Sequence, residues 1–348
     1  MKRKFKVVVS LLLMVMLLNN TEMMSAVSVD GIQGNVRGKI DGVAETKKDT
    51  KLKISFTGDC LISTYKGGTS KGSFNWCVDN YGCEYFLDNV RSVFESDDLT
   101  VVNCETVLSD NKLSPRDKGE NPAYWYIGPS RNVRVFTSSS VEVASVANNH
   151  TRDYGDKGAV DTVEVLRNAG IDVMQSNVPI YIDCDGVTIG FLGCGSWYSG
   201  CESALISIVK EMESKSDFQV IYPHGGKERV HQPENWRVKA YRALIDNGAD
   251  LVVANHPHVL QPLEKYDGKT IIYSLGNFCF GDEAHAENRT LIYQCILDKN
   301  NLSYEDNLIP CYVYSGDRNN WQPVLMEESD VNYNHVIDFM LGKRDTPV

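Results

Sequence analysis

Three familiar patterns are missing from this sequence, and each absence removes a class of protein. The chain has ten cysteines but no C-x-x-C pair, and spacings such as Cys77 to Cys83 fit no structural zinc module. The stretch Gly193-Cys-Gly-Ser-Trp197 does not match the G-x-S-x-G of a serine hydrolase. His224-Gly-Gly-Lys227 lacks the spacing of a phosphate-binding P-loop. The cysteines in or beside apolar runs are expected to be small buried side chains, with one or two disulfides left open: Cys60, Cys104, Cys194 and Cys279.

Excess positive charge is also missing. The formal net charge is -11, and it becomes -14 for residues 27–348, because residues 1–26 hold four basic side chains and one acid. Such a surface repels phosphate backbones, so we expect no nucleic-acid partner. An anionic substrate would need a local cation, such as a metal ion.

No apolar run is long enough to span a bilayer comfortably. The longest, residues 7–18, follows four basic residues and precedes small residues at Ser25 and Ala26, which is the order of a secretory signal. We expect residues 1–26 to be a signal peptide or an uncleaved amino-terminal anchor, and the protein to be exported to the extracellular space or the cell surface. Residues 27–51 have little apolar pattern and are expected to form a flexible tether. A domain is predicted over residues 52–315, and a peripheral tail over 316–348.

Short runs rich in Val and Ile alternate with segments of helical spacing in the predicted domain. This alternation indicates a largely parallel α/β sheet covered by helices. The predicted strands are 53–57, 100–102, 142–147, 188–192, 219–222, 251–254 and 270–273, with late antiparallel strands at 289–297 and 302–314. The predicted helices are 158–169, 205–212 and 233–247. Residues 109–129 interrupt the alternation and are expected to form a loop over a site.

Side chains that can bind metals follow five of these strands. Because ligands bind outside the carboxyl ends of strands in α/β sheets, these groups are expected to meet at one place. Four of the seven histidines belong to this set, which makes chance clustering the weaker interpretation. His256 and His258, at spacing i, i+2, would share one face of a strand. The predicted metal ligands are Asp59, Glu105, Asn149, His224, His256 and His258. This mixture of oxygen and nitrogen ligands suits one or two divalent ions of manganese, zinc or iron rather than calcium.

Six motifs resemble, in chain order, those of the CapA family, which is associated with poly-γ-glutamate capsule synthesis and belongs to the calcineurin-like metallophosphoesterase superfamily. They are Gly58-Asp59, Asn103-Cys-Glu105, Ala147-Asn-Asn-His150 with Asp153-Tyr-Gly155, His224-Gly-Gly226, His256-Pro-His258-Val-Leu-Gln261 and Tyr273-Ser-Leu-Gly-Asn-Phe278. The resemblance covers about residues 52–280. It implies a four-layer α/β/β/α sandwich of mostly parallel or mixed β-sheets flanked by helices.

The resemblance also implies roles for individual residues. Glu105 stands where a bridging carboxylate is expected, and Asn149 resembles an amide ligand. His150 would be a cation over the scissile group or an acid for the leaving oxygen, and Asp153 would orient it. Asn103 and Asn277 are expected to contact the substrate. Leu61 is a departure, because the superfamily has a histidine at this point of its first motif.

The resemblance leads to one function with two alternatives. The first is an exported, metal-dependent hydrolase that acts in synthesis, release or attachment of an anionic exopolymer, in which a metal-bound hydroxide attacks a phosphoester or a γ-glutamyl amide. The second is a non-catalytic, membrane-anchored assembly factor that binds the subunits of a polymer synthase. The third is an extracellular phosphatase unrelated to capsule.

Overall fold

The apolar run that starts the predicted domain forms the central strand of a seven-stranded sheet. In the computed structural model, which describes residues 50–119, 122–281 and 287–348, this strand, β1, spans Lys51–Cys60. The other strands of the sheet are β3 (Leu99–Cys104), β6 (Val143–Ser145), β7 (Asp172–Met174), β14 (Thr290–Asp298), β15 (Tyr304–Tyr312) and β16 (Val324–Leu325). Their order is β16-β15-β14-β1-β3-β6-β7. The strands β1, β3, β6 and β7 are parallel, and β14 to β16 add antiparallel neighbours.

A second sheet has six strands in the order β12-β13-β11-β10-β9-β8. Its strands are β8 (Ile180–Cys184), β9 (Val187–Gly195), β10 (Phe218–His224), β11 (Leu251–Val253), β12 (Leu260–Tyr266) and β13 (Lys269–Leu275). The four inner strands are parallel, and the two edge strands are antiparallel to them. A small third sheet contains β2 (Thr64–Tyr65), β4 (Val107–Leu108) and β5 (Tyr126–Gly128).

Alternating side chains of the inner strands supply two different cores. Phe56 of β1 and Tyr222 of β10 meet between the two sheets, with ring centroids 6.2 Å apart. Ile221, the neighbour of Tyr222, faces the opposite side and packs among helix residues. Because both faces are buried, these strands read as continuous apolar runs rather than as polar and apolar alternation.

Helices complete the two outer layers. Seven α-helices lie within the described residues: α1 (Phe74–Tyr81), α2 (Arg91–Glu95), α3 (Arg134–Thr137), α4 (Gly155–Asn168), α5 (Ser203–Met212), α6 (Asn235–Asp246) and α7 (Val331–Met340). Helices α1 and α4 contribute to the core on the outer face of the first sheet, and α5 and α6 contribute to that of the second sheet. The order helix, sheet, sheet, helix confirms the predicted four-layer sandwich.

The carboxyl-terminal part of the chain adds strands to the first sheet and a helix to the core between the sheets. The late strands are antiparallel, as predicted. After residue 316, β16 joins the edge of the first sheet, and Val336, Phe339 and Met340 of α7 are buried in the core between the sheets. The tail is therefore packed into the fold. The predicted signal peptide and the predicted tether up to residue 49 lie outside the described residues, and within the described part no helix is long and apolar enough to cross a membrane.

All ten cysteines are buried and unpaired. Burial raises the pKa of Cys60 and Cys311 to about 12. This agrees with the expected role of cysteine as a small buried side chain. The one or two disulfides that the sequence allowed are not formed.

Candidate metal centre

The two sheets meet at the carboxyl end of β1. The amide of Asp59 donates to the carbonyl of Gly276 at 2.8 Å, and the amide of Phe278 donates to the carbonyl of Asp59 at 2.8 Å. This close approach requires Gly58, since a Cβ atom there would lie 2.0 Å from the carbonyl oxygen of Gly276. The contact brings the strand ends of both sheets to one place, as the strand-end pattern predicts.

Two buried carboxylates form the centre of this place. Asp59 lies near the end of β1, Glu105 directly follows β3, and both are 0% exposed. The side-chain nitrogen of Asn103 lies 2.8 Å from Asp59 Oδ1 and 3.3 Å from Glu105 Oε2. Asn148 donates in turn to Asn103 Oδ1 at 3.1 Å. Asn103 is thus fully buried and committed to holding the two acids, and its predicted contact with substrate stays a prediction.

The imidazoles of His150, His224 and His258 surround one oxygen of Glu105. Nε2 of His224 lies 3.5 Å from Glu105 Oε1, and Nε2 of His150 and of His258 each lie 3.9 Å from it. Glu105 Oε1 is buried and accepts no hydrogen bond. A buried carboxylate oxygen without a partner is costly, so this position calls for a cation.

Further candidate ligands lie next to these residues. His224 Nε2 lies 3.0 Å from Asn149 Oδ1 and 3.2 Å from Nδ1 of His256. His258 Nδ1 lies 3.2 Å from Asp59 Oδ2 and donates to Asn277 Oδ1 at 2.8 Å. All six predicted ligands therefore come together, and Asn277 lies beside them.

Two sets of ligand atoms, each within 4.8 Å of one another, share Glu105. They are Asp59, Glu105 and His224, and Glu105, His256 and His258. In the described residues these sets contain carboxylates and imidazoles and no thiolate. A shared carboxylate flanked by imidazoles fits one or two divalent ions of the zinc, manganese or iron type.

The charge states of three residues follow from their surroundings. Burial opposes the ionisation of Asp59, but the hydrogen bond from His258 and the charges of His224 and His258 outweigh it and lower the pKa of Asp59. Burial favours neutral His258, yet Glu105 and Asp59 raise the pKa of His258 to about 10. Burial and the neighbouring imidazoles lower the pKa of His256 well below its ordinary value. The centre thus holds ionised Asp59 and neutral His256, both suitable ligands, whereas His258 carries a proton that a bound ion would have to displace.

His150 lies beside this centre and is held in one orientation. Its Nδ1 donates to Asp153 Oδ2 at 2.8 Å, and Tyr126 packs on the ring with centroids 4.8 Å apart. Lys118 lies 2.6 Å from the other oxygen of Asp153. Because Nδ1 is bonded to a carboxylate, the Nε2 atom faces Glu105. This is the arrangement that the predicted pairing of Asp153 with His150 requires.

The prediction that His256 and His258 share one face of a strand was wrong. Both follow the end of β11 and lie in a loop, with φ angles of 102° and 59°. A turn in the left-handed region, rather than a shared strand face, brings both rings to the centre. Sequence reasoning also missed Lys118 and Trp197, whose ring lies across those of His224 and His256 at centroid distances of 5.9 and 5.4 Å. No spacing or motif marks either residue.

Leu61, which stands at the position of the expected histidine, is 3% exposed and supplies no ligand. Its backbone amide donates to the carbonyl of Cys279 at 2.8 Å. The candidate ligands therefore come from other parts of the strand ends.

Comparison with known proteins agrees with the resemblance in the motifs. The sequence model of the family described as "Bacterial capsule synthesis protein PGA_cap" matches residues 53–282. The PGA biosynthesis protein CapA of Bacillus subtilis is 27% identical over 286 residues, which cover 74% of this chain and 72% of that protein. The capsule biosynthesis protein CapA of Bacillus anthracis is 26% identical over 307 residues, which cover 80% and 72%. A hypothetical protein from Thermus thermophilus, of known crystal structure, aligns with a TM-score of 0.48 at 12% identity over 74% of this chain and 99% of that one.

Proposed function

The chain belongs to the PGA_cap family of bacterial capsule synthesis proteins, and on that basis we propose that it acts in the synthesis, release or attachment of a capsule polymer of the poly-γ-glutamate type. Two relatives are named for PGA biosynthesis and for capsule biosynthesis. The proposal includes export to the cell surface, supported by the order of charged, apolar and small residues in residues 1–26.

The proposed activity is metal-dependent hydrolysis. The observation that carries it is the buried, unpartnered oxygen of Glu105 with three imidazole nitrogens 3.5 to 3.9 Å away. A divalent ion held by the six ligands would polarise a carbonyl or phosphoryl oxygen and lower the pKa of water. The proposed scissile bond is a γ-glutamyl amide or a phosphoester.

His150 is proposed to transfer a proton to the leaving group. Its Nδ1–H donates to Asp153, so Nε2 is the atom that faces the carboxylates and can hold the transferable proton. Asp153 fixes this orientation and is itself fixed by Lys118 and by the backbone amide of Tyr126, which donates to Asp153 Oδ2 at 2.8 Å. Asp153 is therefore a positioning residue, and His150 is the proposed catalytic acid.

The test uses the purified full-length chain with a poly-γ-glutamate substrate and a phosphodiester substrate, each with and without chelator. We expect chelator-sensitive cleavage of one substrate, and its loss in Asp59→Asn and in His150→Gln, with bound metal retained only in the second variant. Cleavage that survives chelator and both substitutions would refute the metal mechanism. Bound metal without cleavage of either substrate would favour a non-catalytic assembly factor, and cleavage of the phosphodiester alone would favour a phosphatase.

A further inference from the structure

A groove with a volume of about 850 Å³ lies beside the metal centre. Helix α4, the turn after β6 and the residues that precede β8 contribute to its walls, together with part of the loop at 109–129. A volume of this size is in the range of clefts that bind ligands, about 300–1,000 Å³.

The groove is continuous with the centre. Asn149 lines the groove, and its Oδ1 lies 3.0 Å from Nε2 of the ligand His224. Trp197 also lines the groove, is 47% exposed and contacts His224 and His256 with its ring. The ring lies over Gly195, where a Cβ atom would be 2.1 Å from the indole nitrogen. A chain in this groove would therefore run past Trp197 to the proposed ligands.

The charge of the groove is opposite to that of the whole protein. Four basic residues line it, against two acids, Asp156 and Glu164, whereas the chain as a whole carries -11. The basic residues are Arg116, Lys118, Arg152 and Arg167. A net positive groove on an acidic protein attracts an anionic ligand to this one place.

Two of these basic residues form no ion pair within the described residues, although the charge of Arg167 partly offsets the burial that raises the pKa of Asp172. Lys118 is paired with Asp153 at 2.6 Å, and Arg152 is paired with Asp156 at 3.2 Å on the surface. Arg116 and Arg167 make no ion pair with any described residue, and both are exposed. Their guanidinium groups remain able to bind carboxylates, which they match in geometry.

Aliphatic side chains separate the charges. Val160 and Val178 line the groove and are 50% and 53% exposed. A polyanion with closely spaced phosphates would place charge along its full length, against both the valines and the two acids. A polymer whose carboxylates alternate with methylene groups would place carboxylates at the arginines and methylenes at the valines.

We propose that this groove binds a segment of a linear polycarboxylate and leads it to the metal centre. The inference deepens the proposed function and rests on it for the position of the reacting bond. The binding itself depends only on Arg116, Arg167 and the continuity of the groove with Asn149 and Trp197.

The test measures binding of fluorescently labelled poly-γ-glutamate to the full-length chain by anisotropy. The double variant Arg116→Gln plus Arg167→Gln is compared with Arg131→Gln plus Arg134→Gln. Arg131 and Arg134 are also surface arginines, with side chains 52% and 64% exposed, and they do not line the groove. Both double variants lose two positive charges, so a general charge effect cancels in the comparison.

We expect the groove variant to bind about three- to tenfold more weakly, the control to bind within about twofold of wild type, and high salt to weaken binding. Poly-γ-glutamate with its carboxylates amidated should not bind. Equal weakening in both double variants, or equal binding of the amidated polymer, would overturn the proposal. A third measurement uses polyphosphate to test whether the groove prefers carboxylates to phosphates. Tighter binding of polyphosphate than of poly-γ-glutamate would also overturn the proposal.

The groove and the proposed function can fail separately. Polymer binding and polymer cleavage are therefore measured separately, on wild type and on the Arg116→Gln plus Arg167→Gln variant. If wild type binds polymer through the arginines but cleaves nothing, the hydrolase proposal fails and the groove stands. If wild type cleaves the polymer and the groove variant binds and cleaves it equally well, the groove proposal fails and the hydrolase stands.

Discussion

Replacing Glu105 by Gln tests the metal centre without any assumption about substrate. The side chain is 0% exposed, and its Oε1 accepts no hydrogen bond although three imidazole nitrogens lie 3.5 to 3.9 Å away. Gln keeps the shape of the side chain but removes the charge that the two sets of ligands share. The affinity for divalent ions should therefore fall by at least about 100-fold, since even residues that only orient ligands contribute about 10–100-fold.

The expected size of the effect follows from linkage. An ion at about 100 times its Kd stabilises the folded state by ~2.7 kcal/mol. The described part of the chain has about 300 residues, so its melting entropy is ~0.6 kcal/mol/K and the midpoint should rise by about 4 °C. At the same ion concentration, a variant that binds about 100-fold more weakly gains only ~0.4 kcal/mol, a rise of less than about 1 °C.

Differential scanning fluorimetry of chelator-treated protein, titrated with manganese and with zinc, measures both shifts. Glu211→Gln is the matched control, because Glu211 is a surface acid paired with Lys215 and belongs to neither set of ligand atoms. It should behave like wild type. An equal rise in midpoint for wild type and Glu105→Gln, at the same ion concentrations, would refute the assignment of Glu105 as a ligand.

Three other substitutions test separate parts of the fold. Both ring nitrogens of His231 donate to acceptors, one to Glu287 at 2.6 Å and the other to a backbone carbonyl at 2.9 Å. Burial lowers the pKa of His231, but these hydrogen bonds, chiefly the one to Glu287, outweigh it and raise the pKa, so the folded protein favours the charged form. Because the pKa of His231 is higher in the folded than in the unfolded protein, its protonation stabilises the fold. This stabilisation is complete at a pH below the unfolded pKa of about 6.5 and is lost as the pH rises through the folded pKa. In urea unfolding, His231→Gln should therefore destabilise the protein more at about pH 5.5 than at pH 9. Arg237 is fully buried and donates hydrogen bonds to three partners. Arg237→Met should lower the free energy of unfolding in urea by about 2–4 kcal/mol, because the buried acceptors lose their donor. Gly58→Ala should lower both the melting midpoint and its rise with added metal, since the new Cβ would overlap the backbone of Gly276.

Matched substitutions separate these effects from general damage. Arg242→Met removes a partly exposed arginine from its ion pair with Glu264 and should cost less than about 1 kcal/mol. Gly68→Ala places its Cβ 3.4 Å from the nearest atom, an ordinary contact, and should leave both midpoint and metal response unchanged. The explanation for Arg237 or for Gly58 fails if its control variant loses as much stability as the test variant. The explanation for His231 fails if His231→Gln lowers the free energy of unfolding equally at both pH values.

The strand ends could be predicted because two simple signals coincide there. Runs such as 219–222 are apolar on both faces since they lie between a sheet and a helix layer, and the polar residue that follows marks the strand end. His224 is the last residue of β10, as this logic requires. The same logic explains why the amino-acid sequence alone was enough to predict that Asp59 and Glu105 lie at neighbouring strand ends.

Features that depend on loop conformation could not be predicted in the same way. The positive φ angles of His256 and His258 belong to residues that rarely adopt them, so the strand interpretation was the natural one and was wrong. Lys118 reaches Asp153 from a loop without periodicity, and nothing in its neighbours indicates the contact. The apolar residues of α7 have helical spacing, but the sequence does not indicate that they cover the core between two sheets.

The departure at Leu61 has a limited consequence for the number of ions. A zinc ion in a catalytic site takes about three protein ligands and leaves another position open. The six predicted ligand residues lie at the centre, and Glu105 could serve two ions because it belongs to both sets of candidate ligand atoms. Counting Glu105 twice gives about three and a half ligands for each of two ions, so the loss of one imidazole at Leu61 does not reduce the supply below what two ions need. By the resemblance, the position near Asp59 is the one that Leu61 weakens, and the other members of that set of ligand atoms are Glu105 and His224.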